Sequence, residues 1–114
     1  MSLELVTAII KPHKLDDVKE ALLAIGVDGM TVSEVRGFGR QRGKTENYRG
    51  SEYTIDFIPK ARIEVVVTTE ATPQVVATIV EAARTDRIGD GKVWSTPLSS
   101  LTRVRTGEVD EEAI

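Results

Sequence analysis

Three short stretches of the chain carry residue types and spacings suited to holding an anion. Residues 36–43 read RGFGRQRG: Gly37 and Gly39 leave room for the backbone to approach a ligand, and Arg40 and Arg42 follow at once. The pattern is not the dinucleotide fingerprint, because its third glycine falls one residue late. Residues 89–92 read GDGK, in which Gly89 and Gly91 can turn backbone N–H groups toward an anion, Asp90 lies between them and Lys92 adds a point charge. Asp-Gly is equally an ordinary tight-turn pair. Residues 103–105 read RVR. In a strand, Arg103 and Arg105 would share a face at roughly 6.5–7 Å, with Val104 toward the core. Paired guanidinium groups suit a chain of phosphates, and equally serve as edge-strand charge against aggregation. Together the three stretches imply a polyanionic ligand such as a nucleotide.

The elements that must position them follow from patterning. Residues 3–10 (LELVTAII) form an apolar run ending at Lys11-Pro12, which predicts a strand buried on both faces or close to it. Residues 15–25 place Leu15, Val18, Leu22 and Ile25 on one helical face, with Asp16 and Asp17 in the first turn and Gly26 suited to a left-handed cap. Residues 30–38 and 61–68 predict a second and a third strand. Thr72-Pro73 predicts a helix start with Thr72 as its cap, and Val76, Ile79, Val80 and Ala83 as its apolar stripe. Residues 92–96 and 101–106 predict short strands around a proline-containing turn. The tail, 107–114, holds four acidic groups and no basic one, and is expected to be mobile unless a partner holds it. The order is β-α-β-β-α-β with a short extra strand. That predicts a single α+β, ferredoxin-like domain over residues 1–114, with both helices on one face of an antiparallel sheet.

Composition narrows the chemistry. The chain has 114 residues and a net charge of −3, which disfavours a sequence-blind nucleic-acid binder. It has no cysteine and one histidine, His13, which disfavours zinc sites and Ser-His-Asp hydrolysis. No apolar run reaches about 18 residues and no signal-peptide pattern opens the chain, so a cytoplasmic domain is expected. One connection breaks the usual length rule: residues 39–59 separate the second and third strands by about 20 residues. It carries Arg40, Arg42, Lys44 and Arg49, and the hydroxyl groups of Tyr48, Ser51 and Tyr53. It reads as a mobile docking arm over 39–57, or in part as an extended hairpin of the flanking strands.

The strings GFGRQ (37–41), YRGSEY (48–53), TDRIGDGKVW (85–94) and RVRTGE (103–108), with AIIKP (8–12) and LDDVKEAL (15–22), resemble the PII nitrogen-regulatory signal-transduction family over essentially the whole chain. The resemblance implies a non-enzymatic homotrimer of ferredoxin-like subunits with nucleotide sites between neighbours. By that likeness, Thr31 and the backbone near Val66 contact adenine. Gly37, Arg40, Gly89, Asp90, Gly91 and Lys92, with Arg103 and Arg105 of the adjacent subunit, hold the phosphates of ATP or ADP. Gln41 and a Mg2+ ion on ATP chelate 2-oxoglutarate, whose distal carboxylate pairs with Lys60. Tyr53 matches a nucleotidylylated tyrosine, Ser51 a phosphorylated serine, and Arg49 an arginine that plugs an ammonium channel. The implied partners are that channel, which would recruit the protein to the inner face of the membrane, a modifying nucleotidyltransferase and nitrogen-assimilation enzymes. Residues 106–114 form the C-terminal loop and tail. His13 stands where phenylalanine is commonest, and is expected to pack; Ser95 stands where an aliphatic residue is usual.

Rival readings make different demands. An RNA-recognition module shares the element order but needs aromatics on its third strand, and residues 61–68 hold none. An adenylate sensor without a 2-oxoglutarate response would keep the phosphate elements alone. A nucleotide-processing enzyme needs a positioned base; Asp90 reads better as a turn residue and Glu64 as a structural ion-pair partner.

Overall fold

The computed structural model describes residues 2–39 and 57–114, together with the backbone of 45–48 and 51–54. The elements are β1 (Leu3–Ile10), α1 (Leu15–Ala24), β2 (Thr31–Gly37), β3 (Thr45–Tyr48), β4 (Ser51–Thr54), β5 (Ile58–Thr68), α2 (Thr72–Ala83) and β6 (Gly91–Leu98). Four strands form an antiparallel sheet in the order β2-β5-β1-β6. This is the expected ferredoxin-like βαββαβ plan.

The core lies between the sheet and the two helices. Along β5, Ala61, Ile63, Val65 and Val67 are buried while the residues between them are half-buried, as a strand with one covered face requires. Val6, Ala8 and Ile10 of β1 lie on the same face, and Val18 and Leu22 of α1 and Val75, Ile79 and Ala83 of α2 close over them. Each fully buried aliphatic side chain contributes about 1.5–3 kcal/mol. Helix α1 ends as predicted: Gly26 has φ 92°, Val27 N–H donates to Leu22 O (3.0 Å) and Gly26 N–H to Leu23 O (3.1 Å). That pair of bonds is the Schellman cap, which needs a residue free to enter the left-handed region.

Several expectations are corrected. Thr72 is the first residue of α2 rather than its cap; its hydroxyl donates to Glu4 Oε2 (2.9 Å) and tethers the helix to β1. The buried stripe of α2 runs through Val75, while Val80 is exposed and Val76 half-buried, a shift of one position around the helix. Pro97 does not turn the chain. It lies inside β6, an edge strand, where a missing N–H can face away from the sheet. Residues 101–106 are not a strand: only Thr102 bridges, to Val109, and 104–106 form a turn, leaving Val104 99% exposed rather than in the core. The tail folds back, with Asp110 N–H donating to Leu101 O (2.7 Å) and a 3-10 turn over Asp110–Ala113. His13 is exposed on the 3-10 turn Pro12–Lys14 rather than packed. Within the long connection, β3 and β4 pair as an antiparallel hairpin of their own, with Tyr48 opposite Ser51, separate from the four-stranded sheet and not an extension of β2 and β5. No described helix is long and apolar enough to cross a membrane.

The sheet brings the ends of β1 and β6 together through Gly91, which has φ 106°. A Cβ built there would stand 1.7 Å from the Ile9 carbonyl oxygen. At Gly26 a Cβ would meet nothing within 4 Å. Thermal unfolding of Gly91→Ala should therefore show a loss of about 3 kcal/mol or more, whereas Gly26→Ala, which carries only the left-handed strain, should lose about 1 kcal/mol.

Candidate functional site

Antiparallel pairing in the order β2-β5-β1-β6 places the end of β2, the start of β5, the end of β1 and the start of β6 on one edge of the sheet. The loop from α2 crosses that edge before entering β6. The result is a groove of about 830 Å3 whose wall includes Gly37 and Gly39 on one side, Lys60 at the centre, and Gly89, Asp90, Gly91 and Lys92 on the other. The Gly37–Gly39 part of the first predicted anion element thus meets the 89–92 element in space, and Lys60 lies between them. No heavy atom stands within 4 Å of where a Cβ would be at Gly37 or Gly39, so the backbone there is open to a ligand. Phe38, Ile88 and Trp94 give the groove apolar walls. Phe38 also meets Phe57 edge-to-face at 6.3 Å, where the long connection leaves and rejoins the sheet.

Lys60 reaches the groove because β5 begins at Ile58, three residues before the predicted start. Pro59 interrupts no pairing with β1, which ends opposite Ala61. The Lys60 ammonium donates to the Gly89 carbonyl at 2.6 Å, tying strand to loop. Burial pushes its pKa below the ordinary lysine value; the neighbouring Lys11 charge adds to this and Asp90 opposes it.

The Asp90 carboxylate is directed at its own loop. Thr85 donates its hydroxyl to Oδ1 and its N–H to Oδ2 (2.7 Å), and Asp86 N–H donates to Oδ2 (2.9 Å). Lys11 Nζ lies 3.2 Å from Oδ1 and donates to Thr85 Oγ1 at 3.1 Å. The hydrogen bonds from Thr85, more than the ion pair, hold the Asp90 carboxyl far below the usual carboxylate range. The reading of Asp90 as a turn residue describes this carboxylate; any contribution to anion binding would come from the backbone around it. Neither Lys11 nor Thr85 was given a role in the site from the sequence. The available signal was a lysine directly after a buried strand, with a proline fixing the chain behind it.

Thr31 and Val66 lie elsewhere. With Gly29, Leu101, Ala113 and Ile114 they line a second groove, of about 490 Å3. Thr31 and Gly37 stand six positions apart on β2, roughly 20 Å along the strand. Arg103 and Arg105 line neither groove. Arg103 donates to Glu108 Oε1 (2.9 Å) and to the Ile114 carbonyl (2.7 Å), while Arg105 is exposed on the 104–106 turn. The pairing of these two arginines across a strand face is not what forms, because among the described residues no neighbouring strand extends the Thr102–Val109 bridge. Glu64 accepts an ion pair from Arg62 at 3.3 Å, as a structural partner would. Arg40, Gln41 and Arg49, and the side chains of Ser51 and Tyr53, lie outside the described residues.

Comparison with known proteins gives a consistent result. A profile of the family described as Nitrogen regulatory protein P-II matches residues 3–108. The nitrogen regulatory protein P-II of Synechocystis is 60% identical over 109 residues, 96% of this chain and 97% of that one. Nitrogen regulatory protein P-II 1 of Escherichia coli is 54% identical over the same shares of the two chains. A crystal structure of Arabidopsis thaliana PII bound to citrate superposes with a TM-score of 0.83 at 41% identity, covering 99% of this chain and 92% of that chain.

A carboxylate whose folded pKa is depressed contributes stability above its unfolded pKa, near 3.8 for Asp90, and loses it as pH falls toward the folded value. Asp90→Asn removes that dependence. The melting temperature of the variant should fall less than that of the parent between about pH 5 and about pH 2, measured by circular dichroism at matched ionic strength.

Proposed function

The chain belongs to the nitrogen regulatory protein P-II family, and from that premise we propose that it is a non-enzymatic sensor of ATP, ADP and 2-oxoglutarate acting as a homotrimer. The observation that carries this reading is the division of the site. The groove at Lys60 and Gly89–Lys92, the groove at Thr31 and Val66, and the Arg103–Arg105 turn are three separate surfaces of one protomer. A nucleotide touching all three would need two copies, with the base against Thr31 and Val66 and the phosphates against Gly37, the 89–92 backbone and Lys92. Arg40, Arg103 and Arg105 would complete the phosphate contacts. A cyclic trimer closes such a head-to-tail arrangement and makes three equivalent sites.

The effector is 2-oxoglutarate, its distal carboxylate on Lys60. Among the described residues no group of three His, Cys, Asp or Glu side chains could hold a metal. A Mg2+ ion liganded by phosphate oxygens, the keto acid and Gln41 needs no such group, because magnesium characteristically binds through substrate phosphates with few protein ligands. When bound, the ion would supply a hard Lewis acid for the keto-acid oxygens. Lys60 supplies the charge that discriminates a dicarboxylate from a monocarboxylate. Its tie to the Gly89 carbonyl puts the effector group in direct contact with the phosphate loop.

Output runs through residues 39–57. Gln41 opens that segment, so two ligands meeting there would bias its conformation, with ATP and ADP differing by the γ-phosphate. Arg49 docks on a partner such as an ammonium channel, which would bring a cytoplasmic protein to the inner membrane face. Tyr53, or Ser51, accepts a modifying group from a nucleotidyltransferase or kinase. Nitrogen-assimilation enzymes are the remaining class of partner.

Calorimetric titration of 2-oxoglutarate tests this. Binding should require both magnesium and ATP, fall at least about tenfold with ADP, and be lost in Gln41→Ala and Lys60→Ala. ATP binding without any 2-oxoglutarate signal would leave an adenylate sensor and overturn the carbon-sensing role.

A further inference from the structure

Lys11 belongs to none of the anion elements, and the groove wall formed by Lys60 and Gly89–Lys92 does not include it. Its side chain is 14% exposed and comes from just past the end of β1, behind the loop that joins α2 to β6. There it meets Thr85 and Asp90 together, the two residues that close that loop on itself. The loop has an unfavourable backbone. Asp86 is a non-glycine residue at φ 64°, and Gly89 and Gly91 stand at φ 96° and φ 106°. A left-handed non-glycine residue is strained and persists only where its surroundings hold it. At Asp86 the hold is its own N–H on Asp90 Oδ2, at 2.9 Å.

We propose that Lys11 is a positioning residue for anion binding: by pinning Asp90 and Thr85 from behind, its ammonium fixes the loop conformation that presents the 89–92 backbone to a polyphosphate. The claim rests on the nucleotide-binding reading above. Three geometric facts support it. Asp90 receives four contacts, from Thr85 twice, Asp86 once and Lys11 once, which leaves its carboxylate committed to the loop rather than opposing an incoming phosphate. Lys60 contacts the same loop from the groove side at Gly89 O, so the loop is held from both faces. Gly91, the first residue of β6, packs so closely on the Ile9 carbonyl, two positions before Lys11, that no side chain would fit, which leaves little freedom at that end.

A double-mutant cycle separates positioning from direct ligation. Lys11→Met and Asp90→Asn should each weaken Mg-ATP binding by about tenfold, and the double variant should be no more than about twofold worse than the weaker single, because both remove one shared contact. Lys11→Arg should recover most of the loss. Thr85→Val, which keeps both charges and deletes only the hydroxyl between them, should weaken binding in the same direction. Amide exchange in the ligand-free protein supplies a readout that needs no nucleotide. The Thr85 and Asp86 amides should exchange at least about tenfold faster in Lys11→Met and Thr85→Val, with those of β1 and β5 unchanged. In Lys92→Ala, a ligand-side change, they should exchange as in the parent. Multiplicative losses in the double variant, or unaltered exchange at Thr85 and Asp86, would overturn the proposal. If the unmutated protein bound no Mg-ATP, the nucleotide reading would fall, while the exchange measurement would still decide whether Lys11 holds the loop.

Discussion

Gly91 and the Ile9 carbonyl oxygen are packed too tightly for any side chain to enter between them. That seam joins β6 to β1 at the sheet edge and sets where the rest of the site must lie. Once β6 starts there, the preceding loop has to double back across the end of β1. Its strained residues then need an internal counterweight, which Asp90 supplies through Thr85, Asp86 and Lys11. The groove is the space left between this braced loop and the end of β2. Lys60 stands at its centre because β5 runs three residues past the point where β1 stops covering it.

The fold was legible where one physical signal dominated. The apolar run of β1, the alternation of β5 and the Gly26 cap all read directly, because burial and left-handed backbone each leave a residue-level mark. Errors gathered where tertiary contacts competed with local pattern. Thr72 has the composition of a cap, yet its hydroxyl serves Glu4 on β1, a contact with no local sequence sign. The RVRT stretch alternates like a strand, but the described residues offer it one bridge and no ladder, so it turns instead. Pro97 reads as a turn unless the strand is known to lie at a sheet edge.

The site was legible in its parts and not in its assembly. Glycine and lysine types marked the 37–39 and 89–92 elements, and strand order brings both to one edge. Lys11 went unread because an ion pair between residues 11 and 90 depends on sheet topology rather than on spacing. The separation of Thr31 from Gly37 likewise appears only when β2 is laid out as an extended strand. Such separation is a liability in a monomeric binding protein and a useful constraint in an assembly: affinity then depends on two subunits, so ligand occupancy and subunit geometry report on each other.

Subunit complementation tests the divided site most directly. Protein carrying Lys92→Ala and protein carrying Arg103→Ala with Arg105→Ala should each bind ATP weakly. Dissociated, mixed in equal amounts and reassembled, they should regain tight binding at about a quarter of all sites, because each mixed cyclic trimer has one interface that joins two intact halves. No recovery of tight sites on mixing would mean that Lys92 and the two arginines serve a nucleotide within one subunit, and the shared-site account would fail.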